Sequence, residues 1–428
     1  MIDVRKMVPP PPPPPPPGMR IPGRMVFSVY LTYEEIYTPY GLAQGDTNAI
    51  ATLKQDIQDA QAYGVDGFEL WILDRGDQPA FVWNMFEAAR QLAVANPSKP
   101  AFLIFCGSNA GPPMSFMYSM LSTFYNHPNY YKIGGKIVVG AFVGTIDDAG
   151  WASVFSQLQT NLGVGVYFCP SLQQPGVNDY PNIPSIGSGR WFTGGTGDVG
   201  GTNNVMALNT ANGHTAALGV NYSGSNYWSV PPLGNVYFEH NGGEGPRDEW
   251  LNILNMNPAP TFVAEVTWND FTENYMTPAQ PSNILYAGYN VQPILKPHSG
   301  YARLHEYYAQ WYTTGAQPPI AKDIVIYFYR TSPKAANSSV NGYNTAVDSV
   351  FVTTLLTAPA TLHVVSGGQA TDIILPAGIN YSRTPFVVGA QTFSIVRNGV
   401  TVATVTGQNI LSNPISNPDM EYTSGYTP

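Results

Sequence analysis

The sequence predicts an α/β protein: a (β/α)8 TIM barrel followed by a C-terminal all-β sandwich domain. Three observations carry this. Apolar strand-like runs alternate with helix-period segments from Met25 to Asp270. Alternation of β and α implies parallel strands, and eight such units within residues 24–318 suit a barrel of ~250 residues or more. After Gly315 the texture changes to short β-rich runs at turn-sized intervals, the pattern of a sandwich.

The elements follow in order. MVFSVYL (Met25 to Leu31) reads as the first strand. Asp46 and Thr47 are caps for a helix in which Ile50, Leu53, Ile57 and Ala60 recur at helical spacing, and Gly64 stops it. VDGFELWIL is the second strand. Phe81 to Ala95 is helical, and AFLIFC (Ala101 to Cys106) is the third strand. A helix around Met114 to Tyr125 leads to KIVVGAFVG (Lys136 to Gly144), and Trp151 to Leu162 leads to VGVYFCP (Val164 to Pro170). GRWFTG (Gly189 to Gly194) and AALGVNYSG (Ala216 to Gly224) are the next strand candidates. The helix Arg247 to Met256 precedes the last strong strand, TFVAEVTWND (Thr261 to Asp270). NVYFEHNG (Asn235 to Gly242) is assigned to a long loop. A doubly wound open sheet is the alternative, but no Gly-rich phosphate turn follows the first strand.

Four regions result: an extended proline-rich arm at 1–23, the barrel at 24–318, a sandwich at 319–411 and an extended, exposed tail at 412–428. The arm carries nine consecutive prolines, Pro9 to Pro17. Proline fixes φ and donates no backbone hydrogen bond, so the run should be a polyproline II strut of roughly 28 Å. It is either a spacer or an arm that docks on an assembly partner. In the sandwich, SIVRNGVTVATV is a hairpin turning on Asn398-Gly399.

Composition narrows the partners. Aromatics make up 13 % of the chain and charged residues only 11 %, against about 25 % charged in an average chain. A surface poor in charge suits neutral polyols, or packing into an assembly. The net charge is −9 with no basic run, so nucleic acid is not expected as a partner. No apolar stretch of about 18 residues predicts membrane insertion. Met1 to Arg20 has no apolar core of the secretory kind, so for an extracellular or particle-associated location either a signal has been removed or export follows another route. Cys106 and Cys169 each end an apolar run and read as small buried hydrophobes. No Cys/His cluster has metal spacing, and neither a cofactor nor a metal is expected.

Barrel enzymes place their chemistry at the C-terminal ends of the strands. The richest end is the last one, where Asp270 and Glu273 lie three apart among Trp268, Asn269 and Tyr275. Two carboxyls in one cleft can cleave a glycosidic bond, one protonating the leaving oxygen and one acting on water or the anomeric carbon. Alone, an Asp-x-x-Glu pair is as readily a surface ion-pair partner. Sugar rings stack on aromatic faces, and Trp71, Trp191, Tyr222 and Trp228 also stand at or just past strand ends; capping the barrel core is their bland reading. Tyr30 and Asn221 are further substrate-binding candidates.

The segment EVTWNDFTENYM resembles a motif of glycoside hydrolase family 71, the α-1,3-glucanases or mutanases, V-x-I-x-(S/T)-W-N-D-(Y/F)-x-E-(S/N)-x-Y. Trp268, Asn269, Asp270, Glu273 and Tyr275 match it, while Thr272 and Asn274 depart from the usual Gly and Ser. DIQDAQAYGVDGFELWI, HPNYYKIGGKIVVGAFVG, HSGYARLHEYYAQWYTTG and DIVIYFYRTSPKA are similar to further blocks of the family, in its order, between about Met25 and Lys334. The family's D-G-x-F-S-W-x-x-W stretch is represented only by Trp191 and Asp198. The resemblance implies an endo-acting, inverting hydrolase of α-1,3-glucan or a related surface polysaccharide. Asp270 and Glu273 would be its acid and base: Glu273 is assigned as acid and Asp270 as base, and the reverse order is also open. Asp66 matches a family aspartate and is a possible additional acid, although at a strand start it suits a structural role. His298 lies in a family-like segment as a substrate-binding candidate or a structural hydrogen-bonder. The competing class is a non-catalytic carbohydrate-binding or structural virion protein with a hydrolase-like barrel, motivated by the proline arm and the low charge.

Overall fold

A computed structural model describes residues 20–32, 43–73, 78–108, 113–141, 148–170, 217–221, 225–227, 235–237, 239–257, 259–270, 296–337, 342–413 and 421–428. The first half alternates strand and helix: β1 (Met25–Leu31), α1 (Thr47–Ala62), β2 (Gly67–Ile72), α2 (Gln78–Ala95), β3 (Leu103–Ser108), α3 (Met114–Phe124), a short β4 (Lys132–Ile133), β5 (Lys136–Ala141), α4 (Asp148–Leu162) and β6 (Val166–Pro170). There follow β7 (Ala217–Asn221), β8 (Ser225–Tyr227), β9 (Asn235–Tyr237), α5 (Glu244–Asn255), β10 (Phe262–Val266) and α6 (Ser299–Thr314).

Local chemistry explains the boundaries. The Asp46 carboxylate caps α1, accepting from the N–H groups of Asn48 at 2.9 Å and Ala49 at 2.8 Å. Ile50, Leu53, Ile57 and Ala60 of α1 are buried, as their spacing requires. Gly64, at φ +88°, then turns the chain directly into β2. The sequence reading assigns no element to α6, whose apolar spacing is diluted by five tyrosine and tryptophan rings.

Parallel pairing runs in the order β6-β5-β3-β2-β1-β10-β7, with β4 antiparallel against the start of β5. The strand expected at Gly189 to Gly194 lies outside the described residues. The segment assigned to a loop contributes a short strand, β9, which among the described residues pairs with β8 apart from the main sheet.

The sheet is strongly curved. Phe105 of β3 and Phe262 of β10 have ring centroids 5.9 Å apart although β2 and β1 lie between them. Three strand spacings in a flat sheet would separate them by about 14 Å. Phe27 and Tyr131 join these rings, with Phe27 5.0 Å from Phe105 and 4.7 Å from Tyr131. This aromatic plug fills the concave face toward the N-terminal ends of the strands. Above it Val29, Leu31, Trp71 and Val266 form a second apolar layer toward the C-terminal ends.

The second half is β11 (Ile324–Arg330), β12 (Ser349–Leu356), β13 (Ala360–Ser366), β14 (Gln369–Leu375), β15 (Gly378–Pro385), β16 (Gly389–Arg397), β17 (Val400–Ile410) and β18 (Tyr422–Tyr426). They form two four-stranded antiparallel sheets, β15-β12-β11-β18 and β14-β13-β16-β17. Val325, Tyr327, Val350 and Val352 of one sheet pack with Leu362, Val364, Phe393 and Ile395 of the other in a single core. Asn398 (φ 52°) and Gly399 (φ 78°) make the tight turn of the β16–β17 hairpin. β15 runs from Gly378 into the first two residues of TPFVVG, ending at Pro385.

The tail departs from expectation. Residues 421–427 are buried, and β18 is an outer strand of the first sheet, paired with β11. The cause is polar rather than apolar. Glu239 accepts from Tyr237 Oη and Tyr422 Oη, both at 2.8 Å, from Asn241 N–H at 2.6 Å and from Val347 N–H at 2.9 Å. Lys296 Nζ donates to the Glu421 carbonyl at 2.9 Å. These bonds knit both halves and the tail together.

Candidate active site

The C-terminal ends of β1, β2 and β10 meet at one corner. The peptide between Val266 and Thr267 is cis. Trp268 N–H donates to Val29 O at 2.7 Å, carrying the chain back over β1. Asn269 then replaces a strand partner: Leu31 N–H donates to its Oδ1 at 2.8 Å, and its Nδ2 donates to Leu31 O at 3.0 Å. Asp270 N–H donates to Thr267 Oγ1 at 2.7 Å, closing a tight turn that leaves Asp270 itself 5 % exposed.

Behind this corner β10 is tied to α6. The Glu265 carboxyl meets His305 Nδ1, and both side chains are fully buried. Burial raises the Glu265 carboxyl well above its usual range and pushes His305 down to about 3, so the pair sits as neutral acid and neutral imidazole. On the β2 side, Trp71 O accepts from Thr32 Oγ1 at 2.7 Å and from Thr32 N–H at 3.3 Å, and Thr32 also bonds the buried Gln78. The strand ends are thus fixed by side chains of α2 and of the corner itself.

Asp270 stands at the strand end where the sequence places it. Trp71 lies on the concave face with Val29, Leu31 and Val266. Asn221 ends β7 in register with Val266. Glu273, Tyr275, Trp191, Tyr222 and Trp228 lie outside the described residues, as does Asp198.

Five candidates are corrected. Tyr30 faces the helices: its ring lies 4.8 Å from Phe68 and 6.0 Å from Phe81, and its hydroxyl donates to Asp56 of α1 at 2.9 Å. Side chains alternate along a strand, so the residue between Val29 and Leu31 must point away from the concave face. Trp268 is 1 % exposed and packs on Phe68 at 5.8 Å, which makes it core rather than a cleft wall. His298 is fully buried against the tail, with Nε2 3.1 Å from Tyr422 O and 3.2 Å from Glu421 Oε2. Asp66 sits before β2 at the N-terminal ends, where Arg20 grips it at 2.6 and 2.5 Å and Val26 N–H donates to it at 2.9 Å. Burial pushes the Asp66 carboxyl up while Arg20 opposes the shift. Asn269, expected to bind substrate, spends its amide on Leu31.

Two residues carry more than the sequence reading gives them. Thr267 anchors Asp270, and the only signal for it is a hydroxyl three residues before a carboxylate. Glu69, in the middle of β2, is 3 % exposed on the concave face. Its burial lifts the carboxyl to about 7, against the nearby Trp71 indole, which favours ionisation.

Comparison with known proteins identifies the family. The family model of Glycosyl hydrolase family 71 matches residues 42–422. This chain belongs to that family. A mutanase of Penicillium rubens is 27 % identical over 370 residues, 83 % of this chain and 80 % of the relative. The glucan endo-1,3-alpha-glucosidase of Schizosaccharomyces pombe is 25 % identical over 387 residues, 85 % and 88 % of the two chains. Among solved structures, a GH99 endo-alpha-mannosidase from Bacteroides thetaiotaomicron in complex with BIS-TRIS-propane superposes with a TM-score of 0.52 at 12 % identity, covering 68 % of this chain and 97 % of that one. At that identity the likeness is one of fold. As a member of family 71 the chain is a glycosidase whose substrate is a polysaccharide.

Proposed function

We propose that this family 71 member is an endo-acting, inverting hydrolase of α-1,3-glucan, with Asp270 and Glu273 as its two carboxyl groups. The observation that carries the reading is Asp270 at the C-terminal end of β10, its turn locked by Thr267 and its strand neighbour locked by Asn269. The names of the two fungal relatives supply the linkage. We take the curved sheet to close into a barrel.

In this mechanism one carboxylic acid protonates the glycosidic oxygen while the other, as carboxylate, takes a proton from water attacking the opposite face of the sugar. Inversion needs about 6.5–9.5 Å between the two carboxyls to admit that water. Glu273 acts as acid and Asp270 as base. An insoluble glycan places this work at a cell or particle surface, where the Pro9–Pro17 run serves as spacer or docking arm.

The test is release of reducing ends from insoluble α-1,3-glucan, with the anomer formed first followed by NMR. An inverting enzyme acting on α linkages yields the β anomer. Glu273→Gln and Asp270→Asn should each lose at least about a hundredfold in turnover while retaining glycan binding. Absence of product from the unaltered protein, with unchanged glycan affinity in Asp270→Asn, would instead support a carbohydrate-binding protein.

A further inference from the structure

Glu69 is placed unlike any other acidic residue of the sheet. It pairs in register with Phe105, yet its Oε1 reaches the level of Gly107, two residues nearer the C-terminal ends. A methyl group on Gly107 would lie 2.9 Å from Oε1, and one on Gly140 would collide with it. Two strands therefore give up side chains where this carboxyl stands. Among the described residues Oε1 has no hydrogen-bond partner. The Trp71 indole lies beside it, with Cδ1 against the same Gly107. Trp71 in turn packs on Leu31 and Val266, the residues that Asn269 and the Thr267 turn hold next to Asp270.

We propose that Glu69 is a positioning residue for hydrolysis: from the glycine cradle it supports Trp71, and through Trp71 it sets the floor on which the Val266–Asp270 corner rests. This rests on the reading of Asp270 as a catalytic carboxyl. Glu69 does so as a neutral acid, because among the described residues no cation faces it and only the Trp71 indole favours the charge. β1 presents Val29, β3 presents Phe105 and Gly107, β5 presents Gly140, and β6 presents the buried thiol of Cys169, which is itself pushed up by burial and by Glu69. An ionised Glu69 would be an unpaired buried charge under the floor, and its neighbours would have to move.

Three variants test this. Glu69→Leu, which cannot hydrogen-bond, should lower kcat about ten- to a hundredfold with KM within about twofold, because it disturbs position and not substrate contact. Glu69→Gln, neutral at every pH, should recover most of that loss at pH 5 and keep its kcat through pH 7–8, where the unaltered enzyme declines. Independently of turnover, tryptophan emission should show a pH transition near 7 that disappears in Glu69→Gln and in Trp71→Phe. An alkaline limb identical in Glu69→Gln, or wild-type kcat in Glu69→Leu, overturns the proposal while loss of activity in Asp270→Asn leaves the functional reading intact. If Asp270→Asn remains fully active, the functional reading fails and positioning of that corner fails with it; the emission transition then reports only a titrating neighbour of Trp71.

Discussion

Asn269 holds both backbone groups of Leu31, accepting from its N–H at 2.8 Å and donating to its carbonyl at 3.0 Å. One side chain thus extends the parallel sheet past the last peptide of β1, and the residue that follows it is the candidate base. Asn269→Ala should strand two buried backbone groups. The expected cost is about 2 kcal/mol in urea unfolding, with a fall in kcat larger than any rise in KM because the Asp270 turn loosens.

Gly140 and Glu69 should prove energetically coupled. Gly140→Ala forces a methyl into the space of Oε1 and should destabilise by about 1–3 kcal/mol. Combined with Glu69→Ala the methyl finds room, so the double variant should lose much less than the sum of the singles. Additive losses in a double-mutant cycle would contradict the cradle.

Acid sensitivity should trace in part to His240. Its ring is buried, neither nitrogen has a hydrogen-bond partner, and burial lowers it to about 4 from its ordinary 6.5. The unfolded chain therefore binds a proton between those values that the folded chain refuses. The stability is fully present above about pH 6.5 and is lost as pH falls toward 4, by up to about 3 kcal/mol. His240→Met should flatten that slope, read as the difference between wild-type and variant unfolding free energies at pH 7 and pH 4.5. Taking the difference cancels Glu69, whose raised pKa gives the opposite slope, stability being lost as pH rises from about 4.5 to 7.

Asp66 should matter to folding and not to turnover. Its partner Arg20 is 37 % exposed, so solvent screens the pair and Arg20→Ala should cost only about 1 kcal/mol. Activity of Asp66→Asn on α-1,3-glucan, corrected for folded fraction, should stay within about twofold of the unaltered protein. A hundredfold loss would return Asp66 to the list of candidate acids.

The strand and helix order was legible because its signal is local. Asp46 caps, Ile50 to Ala60 repeat at helical spacing, and Asn398-Gly399 turns a hairpin, each within a few residues. The position of Asp270 at a strand end follows from the same local reading. What sequence did not yield depends on contacts between distant segments. Tyr30 was a cleft candidate until alternation along β1, fixed by Val29 and Leu31 on the concave side, turned it toward Asp56 of α1. His298 found its partners at Glu421 and Tyr422, more than a hundred residues away, and the tail itself was unreadable because tyrosines and threonines there satisfy buried polar groups instead of forming an apolar stripe. Glu69 is intermediate: its mid-strand carboxyl was visible, but the two glycines that make space for it lie on other strands.

The four-way grip of Glu239 has a practical consequence for anyone dissecting the molecule. Its ligands come from Tyr237 and Asn241 on one side of residue 318 and from Val347 and Tyr422 on the other. Severing the chain there would leave a carboxylate, a lysine and an imidazole bereft of their neighbours in one fragment and, in the other, an edge strand that keeps β11 but loses its polar cover. The two halves look separable on paper, yet the bonds they share should make them unfold in one transition when the whole chain is followed by calorimetry.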